Sequence, residues 1–323
     1  MILKKYFMTN STCYRKAGKS KKTGIVVHST GANNPYIRRY VQPLNTDSNY
    51  LEIIDDLGVN RYSNDWNHVK RQAGVHAFIG KNAKGIVETY QVLPYKKDAW
   101  GVGKGLLMPA GTKYYLDAKL TQYAGKLKTQ TKTTAIVGNS NATYFKNANG
   151  TKLYCPASSG LSYNFSPNAR IQFEICEDDL TNKDYFYAAM KEAQEYCAYL
   201  CKEYGWNVDK ICSHYESYHA GYGCNHGDPD NWLKKFGKDM NWFRSQVSQI
   251  MLTMPKPLKV GSVVRIKSEA TTYYNGKKLP DWVKKSKLYC RRLEQNGTVA
   301  LVSTQKIIPV YTGRIRVEDL TVI

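Results

Sequence analysis

The run Ile25-Val26-Val27, closed by His28, constrains this chain more than any other feature. Three consecutive β-branched side chains are stiff about χ1 and favour an extended backbone over a helix. Residues 23–30 (TGIVVHST) therefore read as a buried strand that runs straight into a histidine. Further strand signals are residues 75–80 (VHAFIG) and 86–92 (IVETYQV), which form a hairpin across the turn at Asn82–Gly85, and residues 171–176 (IQFEIC). Between and after them lie helical patterns. Phe186, Met190, Ala193, Cys197, Leu200, Cys201 and Tyr204 recur at helical spacing and predict a helix over 183–204. Thr181 and Asp184 resemble a capping box at its start, and residues 231–251 read as one last helix. Residues 31–72 are polar and read as loops with one short helix near Tyr36–Val41. Strands interleaved with helices make an α/β fold, a mixed central sheet flanked by helices.

Two regions depart from this pattern. Residues 106–169 are rich in Thr, Asn, Ser, Tyr and Lys, with an Asn149-Gly150 hairpin turn, and read as an insertion or lid. After Met254-Pro255-Lys256-Pro257 the chain changes to short alternating strands: SVVRIKS, KLYCRRL, TVALVST and RIRVEDL. The expected organisation is a catalytic domain over 1–252, a linker over 253–259 and a small SH3-like β barrel over 260–323. The last of these has no His and one Cys, so its natural role is binding.

The formal net charge is +21, and residues 255–323 hold 14 Lys and Arg against 5 Asp and Glu. Such a surface seeks a polyanion. Nucleic acid is one class of partner, but no helix-turn-helix, zinc finger or RNA-recognition motif is present, so none is expected. Anionic wall polymers and phospholipid headgroups are others. The eight Cys lack a CxxC pair and sit largely in apolar patterns, as reduced thiols do. No apolar run approaches a membrane span, and the N-terminal MILKKYFMTN lacks the apolar core of a secretion signal. The chain is therefore expected to be made in the cytoplasm, with its release left to something else.

All six His lie between positions 28 and 226. A catalytic zinc takes three protein ligands and leaves one position open. His28 ends a strand, and His214 and Asp228 bracket a loop containing Gly221, Gly223, Gly227 and Pro229, which can fold both side chains back to one point. By chemistry alone Cys224, His219 and His226 are rival third ligands. His76 suits a pocket or strand packing equally, and Trp66, Asn67 and Trp100 are candidates for a sugar groove.

VVHST, VHAFIG, FEICED and SHYE followed by GDPDNW occur here in that order. Together they resemble the type 2 N-acetylmuramoyl-L-alanine amidase family, which includes phage lysins and is related to peptidoglycan recognition proteins. The resemblance spans about residues 10–250, interrupted by the insertion. It implies zinc bound by His28, His214 and Asp228, with Glu174 of FEICED as general base or orienter of the attacking water. His226 stands where many members carry a lysine that steadies the oxyanion, a role an imidazole N–H can also fill. Some members carry Tyr where Val75 stands, and some carry Trp-His after the hairpin where Trp100 here precedes Gly101. Glu177, Asp178 and Asp179 read as loop acids. The resemblance implies hydrolysis of the amide between N-acetylmuramic acid and L-alanine in peptidoglycan, with a wall-binding C-terminal module and a phage or prophage endolysin as the setting. The rival it leaves open is a recognition protein that grips peptidoglycan without cutting it.

Overall fold

The computed structural model describes residues 3–114, 128–129, 134–138, 143–146, 149–155, 160–254, 258–295, 298–306 and 311–323. The chain divides into two compact units, Met1–Cys201 with Trp206–Ser248, and Lys202–Gly205 with Gln249–Ile323.

Up to residue 253 the elements are β1 (Leu3–Lys5), α1 (Thr12–Lys16), β2 (Ile25–Ser29), α2 (Tyr50–Leu57), β3 (Ala77–Lys81), β4 (Val87–Gln91), β5 (Leu107–Met108), β6 (Lys113–Tyr114), β7 (Lys128–Thr129), β8 (Thr134–Gly138), β9 (Thr143–Lys146), β10 (Lys152–Cys155), β11 (Ile171–Ile175), α3 (Lys183–Tyr204), β12 (Ile211–Ser213), α4 (His214–His219), α5 (Asp230–Lys235) and α6 (Met240–Thr253). Six strands form the central sheet in the order β1-β4-β3-β11-β2-β12. It is mixed: β3 and β4 are antiparallel, and the other neighbours are parallel. All five residues of β2 are buried, as a strand covered on both faces requires.

Alternation along the strands divides the core. Phe173 of β11 pairs with Ala77, and Glu174 pairs with Phe78, so Phe173 and Phe78 point to opposite faces. On one face Phe173 meets Tyr196 of α3 edge-on, with ring centroids 5.2 Å apart. On the other, Phe78 stacks on Tyr40 at 5.2 Å and meets Trp66 edge-on at 5.0 Å, in a cluster completed by Ile53 and Leu57 of α2. Glu174 therefore shares its face with the aromatic cluster and not with α3.

The long helix runs over the predicted residues, but its cap differs. Asn182 Oδ1 accepts from the Tyr185 N–H at 3.0 Å, while the Thr181 hydroxyl donates to Asp179 at 2.7 Å. The single helix expected over 231–251 is two, because Gly237 takes a φ of 65° between α5 and α6, a conformation only glycine adopts without strain. The helix near Tyr36–Val41 is a single 3-10 turn, Ile37–Arg39. The sequence reading passed over α1, α2 and β1, the last a three-residue Leu-Lys-Lys edge strand that pairs with β4.

Within the insertion, β10-β9-β8-β5 form a four-stranded sheet and β6 pairs with β7. The β9–β10 hairpin matches the Asn149-Gly150 signal, with Gly150 at a φ of 75°. The rest of the insertion, and most of the Met254–Pro257 break, lie outside the described residues.

The second unit holds β13 (Val263–Ile266), α7 (Asp281–Lys285), β14 (Leu288–Glu294), β15 (Val299–Ser303), β16 (Gly313–Arg316) and β17 (Leu320–Val322). The strands form an antiparallel sheet in the order β16-β15-β14-β13-β17. The predicted RIRVEDL strand is two, split by a 3-10 turn at Val317–Asp319. Val264, Val283, Leu288, Cys290, Val302 and Ile315 form its core.

Candidate metal centre

Strand register builds the site. β11 pairs with β2 so that Glu174 stands beside His28, and β12 pairs with β2 so that Ser213 stands beside Val27. His214, the next residue, starts α4 at the same edge. Ser213 caps that helix: its hydroxyl accepts from the Glu216 N–H at 3.0 Å, and Glu216 accepts from the Ser213 N–H at 3.0 Å. Arg244 holds Glu216 through both terminal guanidinium nitrogens. The start of α4, and with it His214, is thus pinned. The glycine-containing loop after α4 returns Asp228 to the same place, where its carbonyl accepts from the Tyr215 N–H at 3.2 Å.

Three donors converge. His28 Nδ1 lies 3.1 Å from His214 Nδ1. Asp228 places one carboxylate oxygen 3.3 Å from His28 Nδ1 and the other 3.3 Å from His214 Nδ1. A tetrahedral zinc with ligands at about 2.0–2.1 Å has ligand-to-ligand edges of about 3.3 Å, so the donor set fits such an ion.

The ring orientation of His28 follows from its neighbours. Gln172 lies two residues before Glu174 on the same face. Its amide nitrogen donates to Asn164 Oδ1 at 2.9 Å and to the carbonyls of Tyr163 at 3.3 Å and Ala99 at 3.4 Å. That leaves Gln172 Oε1 as an acceptor for His28 Nε2, 3.2 Å away. The proton of a neutral His28 is therefore on Nε2, and the Nδ1 lone pair faces His214 and Asp228. Gly101 closes over this pair, where an added Cβ would collide with the Gln172 oxygen and lie 3.1 Å from His28 Nε2.

The electrostatics separate the acids. Burial works to raise the Asp228 carboxyl, but a hydrogen bond with His214, and one with His28 when that ring carries both protons, outweigh it and hold the group well below the usual carboxylate range. Glu174 goes the other way: burial, then the charges of Asp228 and Glu177, push its carboxyl well above the ordinary value. Among the described residues its buried Oε2 has no hydrogen-bond partner. Burial opposes protonation of His214, yet its hydrogen bond with Asp228 leaves it raised. Exposed His226 is lowered by partial burial and by the neighbouring His214, so it is neutral near pH 7.

His28, Glu174, His214, His226 and Asp228 all line one cleft of about 430 Å³. Residues 18–231 match the profile of the N-acetylmuramoyl-L-alanine amidase family. The chain belongs to this family. Solved structures similar to it include the Staphylococcus aureus hydrolase AmiA in complex with its ligand, at 16% identity over 78% of this chain and 84% of that one, with a TM-score of 0.39. Others are a mutant endolysin from Bacillus subtilis, at 16% identity over 76% of this chain and 99% of that one, TM-score 0.39, and the PlyG catalytic domain, at 14% identity over 80% and 100%, TM-score 0.38. No curated protein matches at a significant level.

For this amidase-family chain the structure also moves residues out of the site. His76 is fully buried, accepting from the Gln172 N–H at 3.0 Å and donating to the Lys97 carbonyl at 3.0 Å, so it is a core histidine, lowered to about 4 chiefly by burial. Trp66 and Asn67 do not line a sugar groove: Trp66 packs on Phe78, and Asn67 bonds Tyr6, Gln42 and Asn10 inside the core. Trp100 packs against Cys13, Ala17, Leu93 and Ala99. Conversely, Glu177 is no mere loop acid. It is buried, lines the cleft and accepts from the Ser29 hydroxyl. Gln172 and Ser29 also went unnoticed in the sequence. Strand alternation relative to Glu174 and His28 is the signal that could have found Gln172. Among the described residues no helix is long and apolar enough to cross a membrane.

Proposed function

We propose that this chain hydrolyses the amide joining the lactyl group of N-acetylmuramic acid to L-alanine in bacterial peptidoglycan, with a zinc ion held by His28, His214 and Asp228. The observation that carries the reading is the 3.1–3.3 Å spacing of these three donors beside a carboxyl of raised proton affinity. When bound, zinc supplies Lewis-acid polarisation of the scissile carbonyl. Glu174, whose environment favours taking up a proton, accepts the proton of the attacking water. His226, neutral and on the cleft wall, donates an N–H to the developing oxyanion. Asp228 stays ionised, and Gln172 keeps the His28 lone pair turned inward.

Residues 1–252 make the catalytic domain in this reading, 253–259 the linker and 260–323 an SH3-like wall-binding domain. The 14 basic against 5 acidic residues of 255–323 suit peptidoglycan with its anionic wall polymers, and tethering raises the enzyme's concentration at the substrate. The setting is a phage or prophage endolysin, made in the bacterial cytoplasm and acting on the wall after release. Mass spectrometry of peptidoglycan digested by the zinc-loaded protein tests the reaction. New L-alanine amino termini with intact glycan strands are expected. New reducing sugars, cuts within the peptide, or binding without any product would overturn it, the last in favour of a recognition protein.

A further inference from the structure

His214 belongs to two sets of donors. Its Nδ1 faces His28 and Asp228, while its Nε2 lies 3.6 Å from Cys224 Sγ. Cys224 Sγ is in turn 3.2 Å from His226 Nδ1, and the His214 and His226 rings stack at 4.6 Å. One donor atom from each of His214, Cys224 and His226 lies within 4.8 Å of the others. With Zn–S near 2.3 Å and Zn–N near 2.0–2.1 Å, a tetrahedral site has a sulfur-to-nitrogen edge of about 3.6 Å. The Cys224–His214 pair has that edge, and the Cys224–His226 pair is close to it.

The loop fixes the thiol. The Cys224 N–H donates to the Val102 carbonyl at 2.7 Å, and Gly103 leaves room for the sulfur, since an added Cβ would lie 2.7 Å from it. Cys224 is half-buried and His226 exposed, so an ion reaches them from solvent. Six of the other cysteines are buried, and Cys212 is occupied by Arg170 at 3.0 Å.

We propose that His214 Nε2, Cys224 Sγ and His226 Nδ1 form a second site, for a thiophilic divalent cation such as cadmium or excess zinc, at which the ion inhibits the enzyme. The first set, with nitrogen and oxygen donors only, does not favour a soft ion; the thiolate does. Binding replaces the Cys224 S–H proton and the His214 Nε2–H proton with bonds to the ion, and both protons go to solvent. The ion takes His226 from the cleft wall and draws electron density from His214. The inhibitory effect rests on the amidase reading above; the site itself does not.

The test is a cadmium chloride titration of the full chain, followed by the ultraviolet sulfur-to-cadmium charge-transfer band. A saturable band is expected in the natural protein, lost in Cys224→Ser, weakened in His226→Ala and kept in Asp228→Asn, which dismantles only the first set. A Cys212→Ser control keeps the band. On zinc-loaded protein the same titration should abolish peptidoglycan cleavage, whereas Cys224→Ser, measured against its own activity before cadmium is added, should resist. A band that survives Cys224→Ser, or is lost in Asp228→Asn, overturns the site. A Cys224-dependent band with no loss of cleavage in an active enzyme overturns the inhibition. If the protein cleaves nothing, the band still decides the site.

Discussion

Replacing Gln172 separates positioning of the candidate metal centre from simple stability. The side chain is fully buried, accepts from His28 Nε2 at 3.2 Å and donates to three oxygens at 2.9–3.4 Å. Gln172→Met removes both functions. Without the acceptor, the His28 ring loses the bond that fixes its proton on Nε2 and its lone pair on Nδ1. Loss of such an outer partner lowers metal affinity about 10–100-fold, or about 1.4–2.7 kcal/mol. Asn164 Oδ1 and the Tyr163 carbonyl keep the Val102 and Arg170 N–H groups as donors, so the lost amide hydrogen bonds cost about 0.5–1.5 kcal/mol of stability as well. Gln172→Glu keeps an oxygen facing His28 Nε2 but loses the amide donors and buries a carboxyl, so it destabilises more than Met does. Zinc affinity should therefore rank Gln, Glu, Met, while thermal stability ranks Gln, Met, Glu. Competition with a chromophoric chelator gives the first order and thermal unfolding of the metal-free protein the second. If Gln172→Met binds zinc as tightly as the natural protein, or if affinity simply follows stability, Gln172 does not position His28.

Three further outcomes are expected. Glu174→Gln should cut amide hydrolysis about 10²–10⁴-fold while zinc content is unchanged; retained turnover would remove Glu174 from the reaction. Asp98→Ala leaves Lys22, to which Asp98 pairs at 2.7 Å in a buried site, without its partner, and should cost about 3–5 kcal/mol in denaturant unfolding; a loss below about 1 kcal/mol, the level of a surface pair, would refute that account. His76 binds its proton less readily folded, at about 4, than unfolded, near 6.5. Its contribution to stability is therefore present above about pH 6.5 and lost as pH falls towards 4, a change of about 3 kcal/mol that a His76→Gln variant should lack when unfolding is followed across that range.

What was legible in the sequence was what local chemistry dictates. The β-branched run before His28 had to be a buried strand, and the 3.6-residue pattern of Phe186 to Cys201 had to be a helix, because each buries an apolar stripe whatever its neighbours. Where local signals were weak or competed, reading failed. Thr181 looked like a cap, but Asn182 lies next to the first turn and won the backbone donor. Gly237 broke a pattern that apolar spacing carried straight through. The order of four short motifs put His28, Glu174, His214 and Asp228 forward together, although they span most of the first unit's length.

Tertiary structure alone decided how these residues meet. Parallel pairing of β11 and β12 with β2 set Glu174 and His214 beside His28, and no local pattern encodes which strands become neighbours. Burial then made His76 a neutral core residue and Glu174 an acid of raised proton affinity, while contacts with His214 and His28 kept the Asp228 carboxylate ionised against its burial. Charge and hydrogen-bond energies depend on distance and solvent exclusion, and neither exists until the chain has folded. The same holds for Cys224, one of several rival ligands in the sequence, which the fold sets between two histidines.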